Sequence, residues 1–181
     1  MSTFEMAVKY VLDNEGGFSD NPKDRGGATN RGVSLRFLKS LPTEKLRLYG
    51  IFSEPNEMTI MDLTDDQTRK IFHGEFWQHA PFEMINDQGV CNYVFSMAIH
   101  MGIAPAIKCV QRAIWAISKD RSILKDDGIL GSNTLHYINY LDGHIESTLR
   151  SECAGDYRTI VARYPEQNEF IDGWLNRAYE Q

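Results

Sequence analysis

Residues 14–34 read NEGGFSDNPKDRGGATNRGVS, and the character of the chain changes abruptly inside this stretch. Before it, Phe4, Val8, Val11 and Leu12 recur at three- and four-residue steps, which predicts an amphipathic first helix running into Glu15. From Gly16 to Gly32 there are five glycines, one proline and several small polar residues, which predicts a tight loop or a short irregular hairpin. Ser34 then reads as the N-cap of a short helix carrying Leu35, Phe37 and Leu38.

Helical patterns continue from there. Thr64 and Gln67 have capping-box spacing, ahead of a helix with Ile71, Phe72 and Phe76 on its apolar face, which Pro81 must end. VCNYVFSMAIHM, residues 90–101, is apolar nearly all round and predicts a buried central helix. Pro105 suits the first turn of the next helix, whose stripe is Ile107, Val110, Ile114 and Ile117. Asp126, Asp127 and Gly128 make a turn, and Ser132 or Asn133 can cap a helix carrying Leu135, Ile138 and Leu141. Two further helices are expected over roughly 145–164 and 166–179, separated by Pro165. The expected fold is mainly α, with a small β element near residues 17–33.

The chain has 181 residues, 42% of them hydrophobic and 24% charged, with a formal net charge of −6. That is the composition of a globular domain rather than a disordered one. No apolar run approaches the ~18–20 residues a membrane helix needs, and residues 1–15 do not have the pattern of a secretory signal. The acidic balance disfavours general binding of nucleic acid or anionic membrane. Cys91, Cys109 and Cys153 are an odd number without a CxxC spacing, which fits synthesis in a reducing compartment.

Chemistry is concentrated in the opening stretch. Glu15 stands where glycines let the backbone turn away from a helix, so its carboxylate can project into a cleft from rigid structure. Asp24 follows nine residues on and Thr29 five after that. Cleaving a glycosidic bond needs an acid for the leaving oxygen and a second group that activates water or attacks the anomeric carbon. A helix-end glutamate facing an aspartate and a hydroxyl on a returning hairpin supplies those parts. As an acid near neutral pH, Glu15 would need its pKa raised by partial burial, with Phe18 and Val33 as candidate neighbours. The same residues also read plainly: a solvated glutamate beside a glycine cap, and turn residues bonded to their own backbone.

The segment EGGFSDNPKDRGGATNRGVS resembles the N-terminal signature of the glycoside hydrolase family 108 muramidases, matching at Glu15, Gly16, Gly17, Phe18, Pro22, Asp24, Gly26, Gly27, Thr29 and Gly32. FWQHAPFEMI resembles the family's aromatic-Trp segment. VQRAI, DGILGSNT and FIDGWLNRA look like elements of the adjoining region, usually described as peptidoglycan-binding. The Glu…Asp…Thr order also resembles the triad of phage-type lysozymes, with the same Glu-to-Asp interval and an Asp-to-Thr interval one residue shorter. The resemblance implies a lysozyme-like catalytic region over 1–90 and a helical peptidoglycan-binding-like region over 91–181, packed into one unit. It implies Glu15 as general acid, with Asp24 and Thr29 positioning water or steadying the oxocarbenium-like transition state. A water between sugar and Asp24 would give inversion, which goes with a carboxylate separation of ~6.5–9.5 Å. The substrate implied is the peptidoglycan glycan strand, cut between N-acetylmuramic acid and N-acetylglucosamine. The chain would be a monomer made without a signal peptide and acting on the cell wall, as a phage endolysin or a toxin-secretion muramidase. The central helix departs from the pattern, with Ser96 and His100 where an acid and an Asn are usual, and Asp20-Asn21 inverts the common order of the loop.

Trp77, Trp115 and Trp174 are candidates for stacking on sugar rings, although most tryptophans in small helical domains anchor cores. Trp77, beside the expected cleft loop, is the best candidate for a glycan contact together with Phe18, and Trp115 and Trp174 are assigned to the core. The five histidines and three cysteines lack HExxH or CxxC spacing, so no metal and no cofactor are expected. His100 reads as a buried histidine with a local partner. DGILGSNT reads either as a sugar-binding loop or as an ordinary turn and helix cap. The competing function is a non-catalytic peptidoglycan-binding module; a stem-peptide hydrolase would need zinc ligands or a Cys/His pair.

Overall fold

A computed structural model of the chain describes residues 1–21 and 26–179. Thr3 opens the first helix by accepting the Met6 amide on its hydroxyl, and α1 (Phe4–Asn14) buries Ala7, Val8 and Val11. The helix stops at Asn14 because Glu15 adopts extended backbone ahead of the two glycines.

The loop returns as a hairpin. β1 (Thr29–Asn30) pairs antiparallel with β2 (Val33–Ser34), Thr29 opposite Ser34 and Asn30 opposite Val33. Arg31 and Gly32 form the two-residue turn with φ of 53° and 78°, the positive pair that a tight right-twisted hairpin demands. Ser19 extends the ribbon by exchanging two 2.8 Å backbone hydrogen bonds with Thr29. Asn30 Nδ2 donates to the carbonyls of Ile60 and Met61 at 2.9 and 3.1 Å, tying the hairpin to the helices that follow.

Ser34 caps α2 (Leu35–Ser40), accepting the Phe37 amide at 3.2 Å. Two short helices follow, α3 (Thr43–Leu48) and α4 (Glu57–Met61). The Thr64–Gln67 capping box forms as its spacing predicts and opens α5 (Asp65–Glu75). Pro81 is not what ends α5: the helix gives way at Phe76 to a 3-10 turn over Trp77–His79.

The central helix is α6 (Gln88–Met101), capped by Asp87 and buried on nearly every side, from Val90 through Ile99. It packs against α1 and, beyond Gly102, against α7 (Ile103–Ser118). α8 (Ser132–Leu141) starts at Ser132 with no side-chain cap from Ser132 or Asn133. α9 (Glu146–Arg163) lies against α7, and a 3-10 turn at Pro165–Phe170 leads into α10 (Ile171–Tyr179), which folds back on α9. The fold is mainly α with one small β-hairpin. Regions 1–90 and 91–181 meet within α6, and one hydrophobic core runs from Ala7 in α1 to Ala178 in α10. No helix among the described residues is long and apolar enough to cross a membrane.

Candidate active-site cleft

A cleft of about 860 Å³ opens where the end of α1, the hairpin, the end of α6, and α9 and α10 converge. Its volume falls within the ~300–1,000 Å³ common for ligand sites. Glu15 stands in its wall with a side chain only 8% exposed. The carboxyl lies between the hairpin turn and α6: Oε1 is 2.8 Å from Nε2 of His100, and the carboxyl carbon is 3.1 Å from where a Cβ would stand on Gly32. His100, in the last turn of α6, is 11% exposed. The Glu15 oxygen lies off the ring N–H direction, so His100 Nε2 is buried without an aligned hydrogen-bond partner among the described residues.

The electrostatics reverse the sequence-based expectation for Glu15. Burial by itself pushes its pKa up, as expected, but the contact with His100 and the charges of His100 and Arg177 outweigh burial and hold the carboxyl below the ordinary range. Phe18 does not supply an apolar cover, being 39% exposed on the loop surface outside the cleft lining. Burial pushes the His100 imidazole down, Glu15 pulls it back up and Arg177 pushes it down again, for a net lowering. Arg177 lines the same cleft from α10, and its Nε is buried without a hydrogen-bond partner among the described residues.

Thr29 reaches the cleft from β1, its hydroxyl donating to the Gly27 carbonyl at 3.1 Å. Asp24, the expected second carboxylate, lies outside the described residues. Two other carboxylates line the cleft: Asp156, held by Arg112 Nη1 at 3.5 Å, and Glu169, which accepts from Asn21 Nδ2 at 3.3 Å.

Trp77 and Trp174 are placed differently from one another, Trp174 packing against the core while also lining the cleft. Trp77 is buried, stacked on Phe82 at 5.7 Å and edge-on to Phe4 and Phe95 at 5.5 and 5.2 Å, so its indole is a core anchor away from the cleft. Trp174 lines the cleft, its ring 5.3 Å from Tyr157 and stacked 6.0 Å from Phe170. These three rings, with Tyr157 itself only 4% exposed, form an aromatic wall of the cleft. The signal for Trp174 was present in FIDGWLNRA, because Trp174 and Arg177 are three apart and share one face of α10.

DGILGSNT resolves as a structural knot. The buried Gln111 donates to Asp127 Oδ1 at 2.8 Å and Thr134 Oγ1 at 3.2 Å, and its Oε1 accepts the Gly128 amide at 2.9 Å. Gly128 has φ of +76°, and a Cβ there would meet the Ala104 carbonyl at 2.9 Å. Asp127 and Thr134 thus spend their polar groups on Gln111, while Ser132 and Asn133 stay exposed. Cys91, Cys109 and Cys153 are free and buried, and no cluster of three or more His, Cys, Asp or Glu is placed to hold a metal among the described residues.

Comparison with known proteins bears on this cleft. The family model described as Glycosyl hydrolase 108 matches residues 8–102, just over half of the chain, from the middle of α1 to the glycine after α6. No curated protein matches the sequence. Among solved structures, SagA of Brucella abortus has a similar fold, with a TM-score of 0.71 at 24% identity, over 98% of this chain and 90% of that one. The structural likeness therefore continues through α7–α10, beyond the segment that the family model matches.

Proposed function

The chain belongs to glycosyl hydrolase family 108, and from that premise we propose that it is an N-acetylmuramidase. It hydrolyses the β-1,4 bond between N-acetylmuramic acid and N-acetylglucosamine in peptidoglycan, with Glu15 as general acid. The observation that carries this reading is the Glu15 carboxyl, fixed at a helix end inside a cleft that also holds Thr29 and an aromatic wall.

In this mechanism the sugar at the cleavage point lies against Phe170, Trp174 and Tyr157. Protonated Glu15 gives its proton to the bridging oxygen as the bond to the anomeric carbon breaks. Water adds to that carbon from the opposite face, oriented by the Thr29 hydroxyl and by Asp24 acting as base, and Asp24 takes the proton the water sheds. Glu15 regains its proton from solvent. Burial strengthens these interactions by removing competing water. The site of action is then the cell wall.

One feature favours a second reading, a wall-binding module without catalysis: the contact with His100 and the charge of Arg177 hold the Glu15 carboxyl below the ordinary range. Digestion of purified sacculi separates the two. The muramidase releases fragments with reducing N-acetylmuramic acid ends, identified by borohydride reduction and mass spectrometry. A binding module sediments with the sacculi and releases none, and reducing N-acetylglucosamine ends would mean that the other glycosidic bond is cut.

A further inference from the structure

We propose that His100 is the positioning residue of the catalytic acid: set 2.8 Å from Glu15 Oε1 at the end of α6, its imidazole holds the carboxyl in the cleft and, once protonated, its charge keeps Glu15 ionised down to acidic pH. The inference rests on Glu15 being the general acid, and it adds a role that the acid, the hydroxyl and the aromatic wall do not need on their own.

The geometry carries it. Both side chains are nearly sealed and their polar atoms stand 2.8 Å apart, close enough for each to orient the other. Glu15 follows the last residue of α1 with extended backbone, and two glycines come after it. The restraint comes from α6, which is buried from Val90 through Ile99. His100 lies in the last turn of that helix, where unpaired carbonyls favour a cation. The misaligned Nε2, without a hydrogen-bond partner among the described residues, is suited to tightening on the carboxylate once a glycan fills the cleft.

The other ionisable groups facing the cleft come from each packed element. α9 supplies Asp156 and Tyr157, the 3-10 turn supplies Glu169, and α10 supplies Arg177. Asp156 has Arg112 as its own cation and Glu169 is bonded to Asn21. Arg177 acts on both members, holding Glu15 ionised and opposing a charge on His100. With His100 protonated, its charge favours the ionised form of Glu15, so the acid form of Glu15 needs a lower pH than it would without that neighbour.

The test compares kcat and kcat/KM across pH on soluble glycan fragments for the wild type, His100→Phe and His100→Gln. The kcat/KM profile reports groups of the free enzyme. Removing the charge moves its alkaline limb upward by about one pH unit in both variants. Phe also removes the brace, and kcat at the optimum falls by roughly tenfold to a hundredfold. Gln keeps an uncharged donor near the Nε2 position and restores kcat to within about threefold of wild type. Limbs that coincide with wild type in a folded variant overturn the inference. If the Phe variant does not fold, Gln alone carries the comparison. The coupling is also read without touching His100: its imidazole resonances titrate at lower pH in Glu15→Gln than in wild type, and an unchanged midpoint overturns the inference. Failure of the underlying reading looks different, because Glu15→Gln would then keep its activity.

Discussion

Gly32 is the residue whose missing side chain makes room for the Glu15 carboxyl: a Cβ on Gly32 would stand 3.1 Å from Glu15 Cδ and 3.3 Å from Phe72 Cζ. Its φ of +78° is the second reason for glycine, since the hairpin turn is closed there by left-handed backbone. One position thus serves both the turn and the packing of the acid. Gly32→Ala meets both constraints at once. Backbone strain costs about 1–2 kcal/mol, a melting-temperature drop of roughly 2–8 °C in a chain of this size. The methyl group displaces the carboxyl, and kcat falls by roughly tenfold to a hundredfold while glycan binding persists. Thermal melts alongside kcat and binding measurements check both parts.

The two tryptophans give opposite phenotypes. Trp77→Ala empties a site among Phe4, Phe82 and Phe95 and costs about 3–5 kcal/mol, lowering the melting temperature by about 10 °C with glycan affinity retained by the folded fraction. Trp174→Ala removes the centre of the cleft's aromatic wall, so glycan affinity falls by about tenfold, with a smaller loss of stability. Calorimetry and titration with soluble glycan fragments distinguish the two.

Gln111→Leu tests whether DGILGSNT is framework. It leaves Asp127, Thr134 and the Gly128 amide without their shared partner, at a cost of about 3 kcal/mol. The melting temperature falls accordingly, while activity per folded molecule stays at the wild-type level. A selective loss of glycan binding at unchanged stability would make the loop a binding element.

Stability and activity run in opposite directions with pH. The folded pKa values of Glu15 and His100 are both lowered, so the unfolded chain binds protons more readily at each. Their contribution to stability is therefore full above the unfolded imidazole value of about 6.5. It declines as pH falls through the folded value of His100 and then that of Glu15, below the ordinary carboxylate range. Melting temperatures decrease between pH 7 and pH 4, and the decrease is shallower in a Glu15→Gln, His100→Phe double variant. Parallel slopes would show that the pair does not contribute.

What was legible in the sequence was local. The apolar steps of α1, the glycines after Glu15 and the Thr64–Gln67 box all act within a few residues, and each forms as its pattern predicts. The β element shrinks to two-residue strands because a segment so rich in glycine offers few side chains to pair. The cleft's far wall was not legible. His100, Trp174 and Arg177 come from helices distant in sequence from Glu15, and helical periodicity does not distinguish an inward face that meets the core from one that meets a cleft. That is why Trp77 was expected at the cleft that Trp174 lines, and why burial was expected to raise Glu15 when His100 from α6 and Arg177 from α10 outweigh it.

The central claim is that Glu15 supplies a proton to the leaving sugar, and leaving-group dependence tests it most directly. The measurement is the rate of wild type and Glu15→Gln on soluble peptidoglycan glycan and on a matched dinitrophenyl glycoside, whose leaving group departs without protonation. The account predicts that Glu15→Gln is slower on the glycan by about 10²- to 10⁴-fold, yet within about tenfold of wild type on the activated substrate. Equal losses on both substrates, or full activity of Glu15→Gln on the glycan, would contradict it.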